Sequence, residues 1–245
     1  MVQRGLSASR ARAARDIEWS GVRVNGGVVH KPGKEVPEDA VLEWASPPMP
    51  WVGRGALKLL GALEVWPELT PQGKWALDVG ASTGGFTEVA LAHGAVGVIA
   101  VDAGSDQLAA ELRQDARVVW FDKTQIQSLE AAQVLERGAS LPSWFAVDVS
   151  FVSATRVLAP LAGLLAPAAP TDGVVLVKPQ FEVGPQGLGR NGVVHDPRLR
   201  QQALDTVSSA AIAAGFEVLG SVPSPVAGGD GNQEWLLRLH RNPTP

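Results

Sequence analysis

Apolar residues gather into short unbroken runs over most of this chain, at residues 75–79, 96–101, 118–121, 145–149 and 174–177. Runs of this length, rich in valine, read as strands buried on both faces of a parallel sheet. Segments with helical spacing separate them, at residues 85–93, 107–113, around 130–137 and 154–165. The longest expected helix covers residues 197–214, with Asp196 as N-cap and Pro197 at its first helical position. Two last strands, at 216–221 and 233–240, are joined by a loop alone and are expected to run antiparallel to each other. Strands alternating with helices predict an α/β fold, a doubly wound sheet of seven mostly parallel strands.

The beginning of the chain follows another rhythm. Ser9 is a plausible N-cap for a helix over residues 10–19, which Gly21 stops. Val22-Arg23-Val24 and Val28-Val29 flank Asn25-Gly26, a strong hairpin signal, and residues 41–44 read as one more short strand. Residues 1–44 are therefore expected to form a small α+β module. Residues 45–53, with three prolines, read as a stiff linker, and residues 54–245 as the main domain. Trp51 suits either packing between domains or stacking on a nucleic-acid base.

Composition narrows the function classes. The chain has 245 residues, 45% hydrophobic and 19% charged, which is a globular composition. No cysteine is present, which removes a disulfide framework, a thiolate zinc site and a cysteine nucleophile. Four scattered histidines give no metal-site pattern, and no bound metal is expected. No apolar stretch reaches the roughly 20 residues of a membrane span, and no secretory signal is visible, so the cytoplasm is the expected location. The net charge of −4 conceals an asymmetry. Residues 1–34 carry seven basic and two acidic residues, a net of +5; the rest carries fourteen and twenty-three, a net of −9. A basic patch on an acidic chain points to a polyanionic partner held at one end. Arg4, Arg10, Arg12, Arg15, Arg23, Lys31 and Lys34 would supply its phosphate contacts, or form a solvated basic face.

The clearest chemical signal is Asp78-Val79-Gly80-Ala81-Ser82-Thr83-Gly84-Gly85-Phe86, between a predicted strand and a helix. Glycines there let the backbone turn sharply and approach a ligand. The spacing departs from G-x-G-x-x-G, which weakens a nicotinamide-dependent oxidoreductase reading. Asp78 at a strand end suits a cationic or hydroxyl-bearing ligand, and Asp102, ending the next strand, can bond both hydroxyls of a ribose. These features fit S-adenosylmethionine; a plain glycine-rich turn with two solvated acids is the alternative. Four further charged residues stand at strand ends or just before the first strand: Lys58, Asp148, Lys178 and Glu234. A lysine ending an apolar run is costly unless paired.

Taken with those residues, the chain resembles the TlyA-type, hemolysin-like rRNA 2′-O-ribose methyltransferases. The similarity runs through Ser9-Arg10-Ala11-Arg12, Gly21 to Gly26, Lys31-Pro32-Gly33 and Trp51 to Leu59. It continues through Asp78 to Thr87, Lys178-Pro179-Gln180-Phe181-Glu182, Gly192 to Pro197 and Gly231 to Glu234. The resemblance implies a Rossmann-like class I methyltransferase domain of FtsJ-like type behind an S-four-type (alpha-L) RNA-binding module. It implies S-adenosylmethionine as cofactor, held by Asp78, Gly80, Ala81, Ser82, Thr83, Gly84, Gly85, Phe86, Asp102 and Asp122. It implies a catalytic tetrad of Lys58, Asp148, Lys178 and Glu234, and a monomer acting on ribosomal RNA or ribosomal subunits.

The implied reaction is methyl transfer to a cytidine ribose 2′-hydroxyl, with Lys178 contacting that hydroxyl. A lysine is a base only when neutral, so its neighbours decide whether Lys178 or Asp148 takes the proton. Base methylation would need a cysteine or an Asn/Asp-Pro-Pro-aromatic loop, and neither is present. The chain begins inside the helix with which the family usually starts and ends five residues after His240. This suggests the shorter family class, which modifies large-subunit RNA only. Two rival readings are a non-catalytic RNA-binding or ribosome-assembly factor and a membrane-lytic protein.

Overall fold

The computed structural model describes residues 1–228 and 231–243. The chain divides into two compact units, Met1–Val52 and Gly53–Pro245.

In the first unit, helix α1 (Arg10–Ser20) starts at Ser9, whose hydroxyl accepts from the Arg12 N–H at 3.1 Å, and ends at Gly21 with φ 67°. Three short strands follow: β1 (Val22–Val24), β2 (Gly27–Val29) and β3 (Leu42–Trp44). They form an antiparallel sheet in the order β2-β1-β3. Asn25 and Gly26 both take positive φ, 48° and 87°, as the tight hairpin turn requires. Ala13, Ile17, Val22 and Ala40 make the small core. The proline-rich segment after β3 lies along α1. The Ser20 hydroxyl donates to the Pro47 carbonyl at 2.9 Å, and Ser46 donates back to the Ser20 carbonyl at 3.0 Å. Prolines cannot donate from the backbone, so side chains on α1 satisfy the carbonyls of this segment.

The second unit contains a seven-stranded sheet. Its strands are β4 (Trp75–Val79), β5 (Gly97–Val101), β6 (Val118–Phe121), β7 (Trp144–Val147), β8 (Thr171–Val177), β9 (Glu217–Pro223) and β10 (Trp235–Arg241). The order is β6-β5-β4-β7-β8-β10-β9. Neighbours from β6 through β8 are parallel, and β10 runs antiparallel to both β8 and β9. The helices are α2 (Gly55–Val65), α3 (Gly85–Ala92), α4 (Ala110–Arg113), α5 (Ala131–Glu136), α6 (Thr155–Leu164), α7 (Pro179–Glu182) and α8 (Pro197–Ala213). Asp196 caps α8 by accepting from the Arg198 N–H at 2.8 Å. Leu77, Ile99, Phe145, Val175, Leu158, Val207 and Leu237 belong to one continuous core.

Several elements depart from the sequence expectation. The helix expected over 107–113 is a single turn, α4. Strand β8 starts three residues early because Thr171 to Gly173 pair with Leu239 to Arg241 of β10. Helix α6 tolerates an internal Pro160, which cannot bond the Arg156 carbonyl; Gln127 Nε2 donates to that carbonyl instead, at 3.3 Å. Among the described residues no helix is long and apolar enough to cross a membrane.

The sheet order reverses at β4, which has β5 on one side and β7 on the other. In such a sheet the loops leaving the carboxyl ends of these strands open a crevice.

Candidate functional site

The crevice is a cavity of about 690 Å³ walled by Gly80 and Ser82 after β4, Asp102 to Gly104 and Gln107 after β5, Thr124 to Gln127 after β6, and Asp148 to Val152 after β7. Gly80 is required by a close approach. Its φ is +84°, and a Cβ there would fall 2.4 Å from the Asp148 carbonyl oxygen. The other two glycines serve the turn and its packing: Gly84 takes φ +98°, a left-handed conformation that disfavours any side chain. A Cβ on Gly84 would meet Leu112 Cδ1 at 2.2 Å, and one on Gly85 would meet the Ala56 nitrogen at 2.9 Å. Of the nine residues from Asp78 to Phe86, only Val79, Gly80 and Ser82 reach the cavity wall; Ala81, Gly84, Gly85 and Phe86 are buried around it, and Thr83 is exposed.

Asp102 organises the wall. Its Oδ2 accepts from the Ser82 N–H and its Oδ1 from the Gly104 N–H, both at 2.7 Å. A carboxylate has about four acceptor positions, so two remain for a diol. Asp122 is placed differently from the expectation. Its carboxylate accepts from the Asp106 N–H at 3.0 and 3.2 Å, and it stands outside this wall, in a smaller pocket with Ala81, Ser82 and Asp102. Thr124 to Gln127, next along the chain, line the main cavity instead.

Asp78 stands buried behind the wall. Its Oδ2 accepts from the Thr87 hydroxyl at 2.6 Å, while its Oδ1 has no hydrogen-bond partner. Burial pushes its pKa up to about 7; the Thr87 hydrogen bond opposes this, and the nearby Asp148 charge adds to it. An unpaired carboxylate oxygen in this position suits a cationic group, such as the amino group of a bound amino acid.

The four charged strand-end residues converge. Lys58 Nζ lies 2.7 Å from Glu234 Oε2 and 3.9 Å from Asp148 Oδ2. Lys178 Nζ lies 2.6 Å from Asp148 Oδ1 and donates to Ser150 Oγ at 2.7 Å. The result is a chain Glu234–Lys58–Asp148–Lys178–Ser150, in which each buried charge faces an opposite one. Lys58, Lys178 and Glu234 are 8%, 7% and 2% exposed. Pairing is what lets such charges remain inside. The antiparallel placement of β10 is essential. Trp235 pairs with Val177, so the residues just beyond, Glu234 and Lys178, emerge at the same sheet edge. A Cβ on Gly228 would fall 2.5 Å from Glu234 Oε1, so a side chain there would displace that carboxylate. Asn232 fastens the loop before Glu234 to the segment at 192–194: it accepts from the Val194 N–H at 2.9 Å and donates to the Gly192 carbonyl at 3.1 Å.

Sequence reasoning missed part of this site. Ser150 and Phe151 follow Asp148 and Val149 on the wall, yet neither residue type marks chemistry without the fold. Phe151 is 93% exposed, has φ 64°, and lies 5.4 Å from the Phe181 ring. Glu182 accepts from Ser153 Oγ at 2.5 Å and from the Ala154 N–H at 2.8 Å, tying the α7 turn to the start of α6; burial raises its pKa.

Within the first unit, the seven basic residues divide. Arg4 donates to the Ala40 and Glu38 carbonyls. Arg12 pairs with Asp16 at 3.4 Å and donates to the Met49 carbonyl at 2.9 Å. Arg15 donates to the Val52 carbonyl at 2.6 Å. These three guanidinium groups hold the unit together. Arg10, Arg23, Lys31 and Lys34 are exposed.

Comparison with known proteins follows the same lines. Residues 51–241 match the family described as FtsJ-like methyltransferase. The chain is 42% identical, over 98% of its length and 87% of the relative's, to the 16S/23S rRNA (cytidine-2′-O)-methyltransferase TlyA of Mycobacterium tuberculosis. It is 29% identical, over 78% of its length and 72% of the relative's, to the 23S rRNA (cytidine-2′-O)-methyltransferase TlyA of Campylobacter jejuni. A solved structure of a candidate hemolysin from Streptococcus thermophilus superposes with a TM-score of 0.78 at 38% identity, covering 99% of this chain and 86% of that one.

Proposed function

Since the chain belongs to the FtsJ-like methyltransferase family, we propose that it transfers a methyl group to the 2′-hydroxyl of a cytidine ribose in ribosomal RNA, that of the large subunit. The observation that carries this reading is the paired chain Glu234–Lys58–Asp148–Lys178 at the edge of the β4–β5–β7 crevice. The cofactor of this methyltransferase is S-adenosylmethionine, which supplies a methyl group already activated by its sulfonium. What remains for the protein is to hold the ribose oxygen in line and manage one proton.

Each residue has a part in that task. Asp102 would accept hydrogen bonds from the cofactor's ribose hydroxyls on its two remaining acceptor positions, and the unpaired Oδ1 of Asp78 would take the cofactor's ammonium. Lys178, in its neutral form, receives the proton of the 2′-hydroxyl, and Asp148, 2.6 Å away, holds its amine in place and stabilises the ammonium that results. Lys58 sits between Asp148 and Glu234 and keeps the two carboxylates from repelling each other. The first unit acts as an S-four-type RNA-binding module, with Arg10, Arg23, Lys31 and Lys34 on phosphates. Cytidine and ribosomal RNA come from the names of the two TlyA relatives, and 23S RNA is common to both. A ribosomal substrate fits a cytoplasmic location.

The test is incorporation of labelled methyl groups into unmethylated large and small ribosomal subunits, offered separately, followed by nucleoside mass spectrometry. The expected product is 2′-O-methylcytidine from the large subunit. A base-methylated product would overturn the ribose assignment, and comparable incorporation into the small subunit would overturn the restriction to the large one.

A further inference from the structure

We infer that Ser150 is a catalytic residue, the hydroxyl that relays the proton of the ribose 2′-OH to Lys178. This rests on the proposed function and adds a group to it. Lys178 is only 7% exposed and is not part of the cavity wall; the wall beside it is made by Asp148 to Val152. A substrate oxygen arriving in the cavity therefore meets Ser150 before it meets the lysine amine. Ser150 Oγ already lies 2.7 Å from Lys178 Nζ, the distance at which a proton passes directly.

The other hydroxyls of the wall are committed. Ser82 donates to Gln107 Oε1 at 3.1 Å, and Thr124 donates to the Asp122 carbonyl at 2.8 Å. The Ser150 hydroxyl accepts from Lys178 and has no acceptor of its own among the described residues, so its proton is available to the cavity. When the amine is protonated, Nζ donates to Oγ. When the amine is neutral, the same contact reverses, and Oγ–H points at the nitrogen lone pair. Its oxygen then accepts from a hydroxyl on the cavity side.

The step balances. The 2′-O–H bond breaks as an O–H bond forms on Ser150. The original Ser150 O–H bond breaks as an N–H bond forms on Lys178. The electron pair left on the 2′-oxygen becomes the new bond to the methyl carbon, and the carbon–sulfur bond to that methyl breaks, its electron pair staying on the sulfur, which leaves as the neutral thioether. The ammonium so produced lies 2.6 Å from Asp148 Oδ1, which stabilises it.

The experiment measures single-turnover methyl transfer to ribosomal subunits at saturating cofactor and RNA, with cofactor affinity measured separately. Ser150→Ala is expected to slow transfer about 100-fold, the usual worth of a positioned proton-transfer group, with cofactor and RNA affinity within twofold of wild type. Ser150→Thr, which keeps the hydroxyl, is expected to recover most of the rate. Wild-type rates in mixtures of light and heavy water should bow downward, as for two protons in flight. A Ser150→Ala rate within threefold of wild type, a loss that lies in binding, or a linear isotope plot overturns the relay while leaving the proposed function standing. Absence of 2′-O-methylation by the wild type overturns both.

Discussion

Replacing Asp78 with asparagine isolates the cost of a buried acid. In the fold, burial raises this carboxyl from 3.8 to about 7, against the opposing hydrogen bond from Thr87. The folded protein thus binds the proton more tightly than the unfolded chain. The stability linked to that proton is present in full below pH 3.8 and is lost as pH rises toward 7. At about 1.4 kcal/mol per unit, the loss between pH 4.5 and pH 8 is about 3 kcal/mol. The asparagine would carry no charge at any pH and could still accept from Thr87 through its carbonyl oxygen. Urea unfolding of the cofactor-free protein, repeated across this range, reads the difference. Relative to wild type, D78N should gain about 3 kcal/mol between the two ends, most of it below pH 7. Parallel stability curves, with a constant offset, would falsify the argument and mean that Asp78 is already ionised at pH 4.5. The same linkage predicts that cofactor affinity in the wild type rises with pH through 7, because a cationic ligand favours the ionised acid, and that D78N binds weakly at every pH.

Other expectations follow from the site. Lys58→Ala removes the 2.7 Å partner of Glu234, itself 2% exposed, and should destabilise by about 3–5 kcal/mol in thermal unfolding. Adding Glu234→Gln should recover much of that loss, and no recovery would mean the pair is not the source. Lys178→Ala should abolish methyl transfer with cofactor affinity unchanged; substantial turnover at saturating cofactor would assign the proton to another group. Asp102→Ala should weaken cofactor binding by about 1.5–3 kcal/mol in calorimetry, the worth of a hydrogen bond to a charged group. Glutamine at Arg10, Arg23, Lys31 and Lys34 should flatten the salt dependence of RNA binding by ~0.7–0.9 of slope for each phosphate that is no longer neutralised. Alanine at Arg12 or Arg15 should instead lower the stability of the first unit, because their guanidinium groups serve the Met49 and Val52 carbonyls. A pure loss of RNA affinity in either arginine variant would reverse that assignment.

Much of the architecture was readable along the chain because its causes are local. The valine-rich runs can be satisfied only between two covering layers, so they became β4 to β8 within a few residues of their expected bounds. Ser9, Asp196 and Asn25-Gly26 acted through neighbours one to three residues away, and each caps or turns as its chemistry requires. The chain also showed the four charges whose burial makes sense only in company. It could not show that β10 inserts between β8 and β9. That pairing joins distant segments, and it alone carries Glu234 to the edge where Lys178 ends its strand.

The same limit explains the misplaced details. Arg12 and Arg15 looked like a free basic face on a helix, because the carbonyls they serve lie 37 residues further on. Gly84 and Gly85 read as ligand-approach glycines, but a left-handed backbone at Gly84 (φ +98°) and the Ala56 backbone against Gly85 are what exclude a side chain there. Asp122 turned toward the Asp106 backbone, leaving the cavity to the residues just after it. Residue type and periodicity determined the strands, the caps, the hairpin turn and the set of charges in need of partners, since each depends on nearest neighbours in the chain. Only the tertiary structure decided which charge pairs with which, and that Ser150 stands between Lys178 and the cavity, since hydrogen bonds across 28 residues exist only once the sheet has closed.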